Sequence, residues 1–371
     1  MRNLVVCARA PSNIALIKYM GKKNPNLNIP ENPSLSLTLN SLCTFAELSI
    51  SESHLDSIDW IAEKPQTLEV DPNFQALSSR AIVPDLGDPE VQKVLRYCRL
   101  ALREIPEIFK KFGISLPLRP LGTRYLLKTA NTFPACSGIA SSASSFAAIT
   151  LAFAQSLAQD SACFRKAWRE DLLLRRALAQ VSRQGSGSSC RSFEGPWVIW
   201  EGEEARAVLS SMPPMAHFVV LIQAEAKKVS SSEAHLRVRT SPLWESRVDR
   251  VQYRLKNMIS ALRTQDVKTL AQVSWSEMWE MHSLFHTCSD PFSYWAPGTI
   301  EALQWFSPLI RSEEPPIVTL DAGPNLHVLV AKERQKDWSV RLRRKFSEVL
   351  EDEEGQGAFP LEGVFGDGEV Q

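Results

Sequence analysis

The segment 131–143, Asn-Thr-Phe-Pro-Ala-Cys-Ser-Gly-Ile-Ala-Ser-Ser-Ala, constrains the fold more than any other part of the chain. It follows a strand-like run at 125–129 and precedes an apolar, alanine-rich run at 146–154. A strand, a Pro/Gly/Ser loop and a helix start direct several free backbone N–H groups at one point, where the helix dipole also favours an anion. The segment lacks the Gly-Lys-Ser/Thr of a P-loop. It therefore predicts either another kind of phosphate loop or a turn in which Ser141 or Ser142 caps the helix.

Four further segments stand in a fixed order around this loop. They are Ala-Pro-Ser-Asn-Ile-Ala-Leu-Ile-Lys-Tyr-Met-Gly-Lys at 10–22, Gly-Ser-Gly-Ser-Ser-Cys-Arg-Ser at 185–192, Lys-Lys-Val-Ser-Ser at 227–231 and Thr-Leu-Asp-Ala-Gly-Pro-Asn at 319–325. The central loop, Pro-x3-Gly-x-Ala-Ser-Ser-Ala, resembles the phosphate loop of the GHMP small-molecule kinases. All five segments in order resemble the diphosphomevalonate decarboxylase (mevalonate diphosphate decarboxylase) family within that superfamily.

The resemblance implies a fold and a reaction. The fold is the α+β two-lobe GHMP kinase fold, with a ribosomal protein S5-like N-terminal lobe, a ferredoxin-like C-terminal lobe and a deep active-site cleft between them. The Ser/Pro segment at 210–214 predicts the boundary, which gives lobes at 1–212 and 213–371. The reaction is the ATP- and Mg²⁺-dependent decarboxylation of mevalonate 5-diphosphate to isopentenyl diphosphate, with release of ADP, phosphate and CO2. The nearest alternatives are a mevalonate 5-phosphate decarboxylase and a relative that only phosphorylates the 3-hydroxyl. A GHMP-fold binding protein without catalytic activity is the alternative from another class.

Composition excludes other classes of partner. The chain has 371 residues, with 42 basic and 42 acidic side chains, so no basic surface for nucleic acid or membrane is predicted. Its seven cysteines are scattered, odd in number and without a CxxC pair, as in reduced cytoplasmic proteins. Polar residues arrive too early for a signal-peptide core, and no apolar run approaches the length of a membrane span. We expect a soluble cytoplasmic enzyme, and the resemblance implies a homodimer.

Periodicity predicts mixed strands and helices without a regular βαβ order, which is typical of α+β proteins. The prediction includes a hairpin at 59–70, a helix at 90–111 and a long helix at 335–350 followed by an acidic loop. In the second half, helices are predicted at 231–239, 243–263, 265–286 and 298–309.

Three charged residues are the candidates for catalysis. Asp321 ends a strand before Ala-Gly-Pro, so it is either a reactive carboxylate at a tight turn or an ordinary Asx-turn. Arg191 follows a Gly/Ser loop and is either a bidentate carboxylate holder or a surface arginine. Lys18 lies among apolar neighbours, where a charged lysine needs a partner. The resemblance assigns these three to the catalytic Asp-Lys-Arg set of the family.

The resemblance also implies the binding residues. Those that match substrate positions are Asn13, Tyr19, Lys22, Ser186, Ser188 and Ser231. Those that match nucleotide positions are Pro134, Ser137, Gly138, Ala140, Ser141 and Ser142, and Ser142 also matches a Mg²⁺ position. Without the resemblance, Lys22 reads equally well as a solvated loop lysine.

The sequence departs from the family pattern at one corner of the substrate site. Family members often carry an arginine at the start of the early helix, and the matching position here falls near Glu90. We therefore expect Arg80 or Lys93 to supply this contact with the diphosphate, or the contact to be absent.

Overall fold

The computed structural model describes residues 4–53, 55–62, 89–117, 122–134, 139–223 and 228–362. Within these ranges the strands are β1 Leu4–Ile17, β2 Lys22–Asn24, β3 Ile29–Pro30, β4 Ser34–Glu52, β5 Ser57–Ala62, β6 Thr123–Asn131, β7 Trp197–Glu201, β8 Glu204–Ala207, β9 Met215–Val220, β10 Ile317–Thr319, β11 Leu326–Ala331, β12 Val349–Glu353 and β13 Phe359–Leu361. The helices are α1 Pro89–Lys111, α2 Ser141–Leu157, α3 Ser161–Glu170, α4 Leu172–Gly185, α5 Ser231–Arg237, α6 Arg247–Thr264, α7 Val267–Thr287, α8 Pro297–Phe306 and α9 Gln335–Lys345.

The larger sheet in the described part of the chain runs in the order β13-β1-β4-β6-β5, and the β7–β8 hairpin pairs with the start of β4. Strands β1, β4 and β6 are antiparallel, and β5 joins β6 in parallel. Helix α2 packs against β1 and β4. It is buried on nearly every side from Ala143 to Leu157, as expected of a helix that is apolar all round. This burial fixes the helix start, which forms one wall of the cleft.

The smaller sheet has the antiparallel order β10-β11-β9-β12. Its residues share an apolar cluster with the larger sheet, since Leu35 of β4, Val219 of β9 and Leu255 of α6 belong to one buried group. The chain then returns to the larger sheet, where β13 pairs with β1. This shared core holds the end of β1 and the end of β10 against each other, although they are about 300 residues apart in the sequence.

Strand β1 is irregular at the two places that lead to predicted site residues. Its register against β4 shifts between Pro11 and Asn13 and again between Ala15 and Ile17. Such bulges bend a strand and redirect its side chains, and they are frequent next to active sites. The second shift precedes Lys18, the first residue after the strand.

The predicted helices of the second half appear within a few residues of their expected bounds, as α5 to α8. The predicted helix 335–350 is wrong at its C-terminal end. Helix α9 stops at Lys345, and the acidic segment that was expected to be a loop forms β12, in which Asp352 accepts hydrogen bonds from the backbone N–H groups of Ser41 and Leu42.

The predicted hairpin 59–70 is contradicted over its first residues, because β5 pairs in parallel with β6 and lacks an antiparallel partner among the described residues. The rest of that prediction, 63–70, lies outside the described residues. Across the described ranges, no helix combines the length and the apolar character needed to cross a membrane.

Candidate active site

A cleft of about 490 Å³ brings the separated sequence motifs together. It is bounded by the end of β1, the start of α2, the segment 184–188, the start of α5 and the turn after β10. The predicted site residues that line it are Lys18, Tyr19, Lys22, Ala140, Ser142, Ser186, Ser188, Arg191, Ser231 and Asp321.

Asp321 and Lys18 form an ion pair on the wall of this cleft. The Lys18 Nζ lies 2.7 Å from the Asp321 Oδ1 and donates a second hydrogen bond to the backbone oxygen of Ala15 at 2.6 Å. Lys18 is 1% exposed and Asp321 is 23% exposed, so the carboxylate is the partner that faces the cavity. Burial lowers the pKa of Lys18, and the neighbouring Asp321 carboxylate opposes that effect. Breaking this pair would leave a buried charge without compensation.

A second charged layer fixes the backbone of Lys18. Its N–H donates to the Glu277 Oε1 of α7 at 3.1 Å. Glu277 is fully buried and is itself paired with Arg247 and with Arg254, the latter at 2.8 Å. Because the two arginines neutralise the Glu277 carboxylate, it can bind the Lys18 N–H without placing an excess negative charge beside the site.

Arg191 is buried in the 3₁₀ helix Gly187–Ser192 and is only 3% exposed. Its Nε donates to the Asn13 Oδ1 at 3.0 Å and its Nη1 to the Ser34 Oγ at 2.7 Å. Asn13 in turn donates to the Ser192 Oγ at 2.9 Å. These bonds orient the guanidinium, and its Nη2 makes no hydrogen bond within the described part of the chain. Burial lowers the pKa of Arg191, but an arginine stays charged at any working pH.

Tyr19, Lys22, Ser186 and Ser188 form what we call the anion cradle. The Tyr19 hydroxyl is buried without a partner among the described residues. The Tyr19 ring packs between the rings of Trp200 and His235. Burial raises the pKa of Tyr19, so the hydroxyl keeps its proton. Burial and then the nearby Lys93 cation lower the pKa of Lys22 to about 8. The cradle therefore combines neutral donors with one cation that titrates close to neutral pH.

The start of α2 meets the cradle. Ala140 is the N-cap with a left-handed φ of 48°, and no side chain among the described residues makes a capping hydrogen bond here. Ser141 and Ser142 are the first two helical residues, and no acidic side chain lies in the first turn. Since neither serine is the N-cap residue, the capping alternative from the sequence is wrong, and a helix start of this kind can bind an anion. The Ser186 Oγ donates to the Ser142 Oγ at 3.1 Å, and this bond links the segment 184–188 to the start of α2.

Two cations of α1 also reach the cleft. Lys93 and Arg96 line it, and they lie one helical turn apart. The Lys93 Nζ lies 5.2 Å from the ring centroid of Phe146 in α2. Sequence reasoning named Lys93 but missed Arg96. Their i, i+3 spacing, opposite the apolar face of α1, is the signal that would have found both.

Some predicted residues do not line the cleft. Asn13 is 1% exposed and lies behind Arg191, and Pro134 and Ser141 are also absent from the lining. Ser137 and Gly138 lie outside the described residues, as does Arg80. Ser231 does line the cleft, next to Ser230, whose side chain caps α5 by accepting from the Glu233 N–H at 3.1 Å. Sequence reasoning also missed His235, which lines the cleft without any local motif.

Comparison with known proteins places these features in a family. The family model described as diphosphomevalonate decarboxylase-like N-terminal domain matches residues 10–211, and the model described as mevalonate 5-diphosphate decarboxylase C-terminal domain matches residues 217–359. The chain is 31% identical to a diphosphomevalonate decarboxylase from Aspergillus fumigatus, over 85% of this chain and 74% of that protein.

Solved structures are similar along nearly the whole chain. A mevalonate diphosphate decarboxylase from Legionella pneumophila is 31% identical, with a TM-score of 0.73, and the match covers 94% of this chain and 100% of that one. MDDEF in complex with MVAPP, AMPPCP and magnesium is 26% identical, with a TM-score of 0.74, and the match covers 98% of this chain and 100% of that one. These similarities confirm the predicted α+β GHMP kinase fold. The chain belongs to the diphosphomevalonate decarboxylase family.

Proposed function

We propose that this protein converts ATP and mevalonate 5-diphosphate into ADP, phosphate, CO2 and isopentenyl diphosphate. The observation that carries the proposal is the Asp321–Lys18 ion pair, which lines the same cleft as Arg191 and the start of α2. The family membership supports the same reaction. The bound MVAPP, AMPPCP and magnesium of MDDEF support this substrate, a nucleotide and Mg²⁺.

Asp321 is the group proposed to act on the 3-hydroxyl of the substrate. The carboxylate faces the cavity, and Lys18 holds one of its oxygens, so the other is free to accept a hydrogen bond from the hydroxyl. Accepting that proton helps the oxygen attack the γ-phosphorus of ATP, and the bond from that phosphorus to the β–γ bridging oxygen breaks to give ADP. Phosphoryl transfer depends mainly on positioning and charge neutralisation, which a preorganised pair of this kind supplies.

Arg191 is proposed to hold the substrate carboxylate. Two of its nitrogens are fixed by Asn13 and Ser34, which leaves Nη2 for a ligand. When phosphate leaves the tertiary carbon, the electrons of the carboxylate C–C bond form the new double bond and CO2 departs. A carboxylate held in a defined orientation keeps this bond aligned with the departing phosphate. Asn13 then acts by orienting Arg191.

The remaining charges are proposed to divide between the two phosphate groups. The anion cradle, together with Lys93 and Ser231, is proposed to bind the 5-diphosphate, while Ala140 and Ser142, with the neighbouring Ser141, are proposed to bind the nucleotide. Mg²⁺ fits this second set, because the Ser142 hydroxyl is exposed in the cleft and Mg²⁺ commonly takes few protein ligands beside substrate phosphates. When bound, Mg²⁺ would neutralise negative charge on the transferring phosphoryl group.

Further expectations from the sequence are also proposals. We propose that the chain divides into lobes at 1–212 and 213–371, with β13 returning to the first sheet, that it forms a homodimer and that it works in the cytoplasm. The matched family regions, which end at 211 and begin at 217, support the boundary. The family resemblance supports the homodimer, and sedimentation measurements would test it.

The experiment that tests the reaction follows ADP and CO2 together. Incubation with ATP, Mg²⁺ and mevalonate 5-diphosphate should release one ADP for each CO2, and omission of ATP or chelation of Mg²⁺ should stop both. Release of ADP without CO2 would show that the protein is a kinase of the 3-hydroxyl and not a decarboxylase. Absence of both products would indicate a binding protein without catalytic activity.

A further inference from the structure

His235 belongs to no sequence motif of the site, yet it lines the cleft. It is in the last turn of α5, and only 7% of its surface is exposed. Its ring centroid lies 4.3 Å from that of Tyr19 in the anion cradle.

One ring nitrogen is already assigned by a backbone contact. The N–H of Gly21 lies 3.0 Å from the His235 Nδ1. A backbone N–H can only donate, so Nδ1 must carry a lone pair and no hydrogen. Gly21 has a φ of +81°, and a Cβ at this position would lie 2.4 Å from the Trp244 ring. A larger residue at this position would be strained and would meet Trp244, so the turn that presents this N–H requires glycine.

The charge state of the ring follows from its surroundings. Burial, with the nearby Lys22 cation in second place, lowers the pKa of His235 to about 3. The imidazole is therefore neutral at neutral pH, and a neutral imidazole carries one hydrogen. Since Nδ1 has none, Nε2 is an N–H donor. Nε2 makes no hydrogen bond within the described part of the chain and is not among the fully enclosed polar atoms.

The neighbours of this donor point to an anion. The Tyr19 hydroxyl beside it is buried and has no partner among the described residues, and Lys22 is close enough to lower the pKa of the imidazole. Two neutral donors and one cation thus meet at one end of the cleft. A phosphate group has several acceptor oxygens and can accept from the His235 Nε2–H and from the Lys22 ammonium together, next to the enclosed Tyr19 hydroxyl.

We propose that His235 is a substrate-binding residue whose Nε2–H donates a hydrogen bond to the diphosphate group of mevalonate 5-diphosphate. The inference rests on the proposed function for its ligand and adds a residue to the anion cradle. Its contribution differs from that of Lys22, because a neutral donor keeps its hydrogen as the pH rises through 8 while the lysine loses charge.

Two substitutions separate the two nitrogens of the ring. Asn in His235→Asn places an amide oxygen near the position of Nδ1, where it can accept from Gly21, and it has nothing at the position of Nε2. Gln in His235→Gln reaches the position of Nε2 with an amide N–H. We expect the Kd for mevalonate 5-diphosphate, measured by calorimetry without nucleotide, to rise about tenfold for His235→Asn and less than about threefold for His235→Gln, since tenfold corresponds to about 1.4 kcal/mol. The Kd for Mg-ATP should stay unchanged in both.

A larger loss in His235→Gln than in His235→Asn would assign His235 to holding the Gly21 turn and would overturn the proposal, as would equal losses in the two variants or an unchanged Kd in His235→Asn. A spectroscopic measurement on the unmodified protein guards against misfolded variants. The ¹⁵N spectrum should show the hydrogen on Nε2, and the Nε2 resonance should move when mevalonate 5-diphosphate is added. An Nδ1–H tautomer or an unmoved resonance would also overturn the proposal.

Because these are binding measurements, they separate the two claims. Normal binding without CO2 release would remove the proposed decarboxylation and leave the role of His235 intact. Normal turnover with an unaltered Kd in His235→Asn would remove only the role of His235.

Discussion

The charge cluster of Asp321, Lys18 and Arg191 and the anion cradle lie in the same cleft, but they hold their polar groups in opposite ways. The two cations of the charge cluster are at most 3% exposed and are bound to protein partners on several sides. In the cradle, Lys22 is half-buried, and the Tyr19 hydroxyl has no partner among the described residues. Groups that must be aligned with a breaking bond are thus fixed before the ligand arrives. In the cradle only the serines bond to neighbouring hydroxyls, and the Lys22 ammonium makes no hydrogen bond within the described residues, so it is left for the ligand.

The largest difference between the two regions should come from Asp321→Asn. The amide keeps the shape of the carboxylate and can still accept from Lys18, but it loses the charge and the basicity. One general acid–base group is worth roughly 10²–10⁴ in rate, so kcat should fall by that factor while the Kd values for ATP and mevalonate 5-diphosphate stay within a few-fold. Asp352→Asn is the matched control, because Asp352 is a buried carboxylate away from the cleft. A variant with more than half of the unmodified kcat would remove Asp321 from the mechanism.

Arg191→Lys should follow, with a loss of decarboxylation of about 10- to 100-fold. A single ammonium cannot bind Asn13, Ser34 and the substrate carboxylate in the planar geometry of a guanidinium, and a charge-assisted hydrogen bond contributes about 1.5–3 kcal/mol. Nucleotide affinity should be nearly unchanged. Arg183→Lys provides the comparison, since Arg183 is equally buried at 3% exposure and does not line the cleft. An equal loss in ATP affinity would instead assign Arg191 to the nucleotide.

At the start of α2, replacement of both Ser141 and Ser142 by Ala should raise the Kd for Mg-ATP well above tenfold. These hydroxyls belong to the first turn of α2, and removing them takes donors away from the nucleotide phosphates. Binding of mevalonate 5-diphosphate without nucleotide should barely change. A large shift in melting temperature with normal ATP affinity would show that the serines stabilise the helix instead.

The smallest effect concerns the pH dependence set by Lys22. A lysine with a pKa of about 8 is charged below that pH and neutral above it, so kcat/KM for mevalonate 5-diphosphate should fall as the pH rises through 8. Lys22→Arg should abolish this fall because arginine stays charged. Lys93→Ala should move the fall to higher pH, since removing a neighbouring cation raises the pKa of Lys22. Lys23→Ala is the control on an exposed neighbour. A profile that is the same in the unmodified protein and in Lys22→Arg would contradict the assignment.

The same contrast explains how much the sequence could predict. Lys18, Arg191 and Asp321 each sit in a short motif with a local cause, such as a strand end or a Gly/Ser loop, and all three reach the cleft as expected. The contact of His235 with Gly21 spans 214 positions, and no local pattern marks it. It depends on how α5 packs against the turn after β1.

Errors in the predicted elements have a similar origin. The segment that forms β12 is acidic, and its strand character comes from pairing with β9. Buried Asp352 is tolerated there because two backbone N–H groups bind it, although burial still raises its pKa to about 6. Helix periodicity continued past Lys345 in the prediction, since tertiary pairing is not visible in a single sequence.

The choice between the 5-diphosphate and the 5-monophosphate tests the division between charge cluster and cradle most directly. The measurement is CO2 release by the unmodified protein with each substrate in parallel, at saturating Mg-ATP. The cradle with Lys22, Tyr19 and the two serines should make kcat/KM for mevalonate 5-diphosphate at least roughly 100-fold higher, because hydrogen bonds to one more phosphate group contribute several kcal/mol and each 1.4 kcal/mol is a factor of ten. Comparable efficiency on the two substrates would contradict the account and would identify a monophosphate decarboxylase.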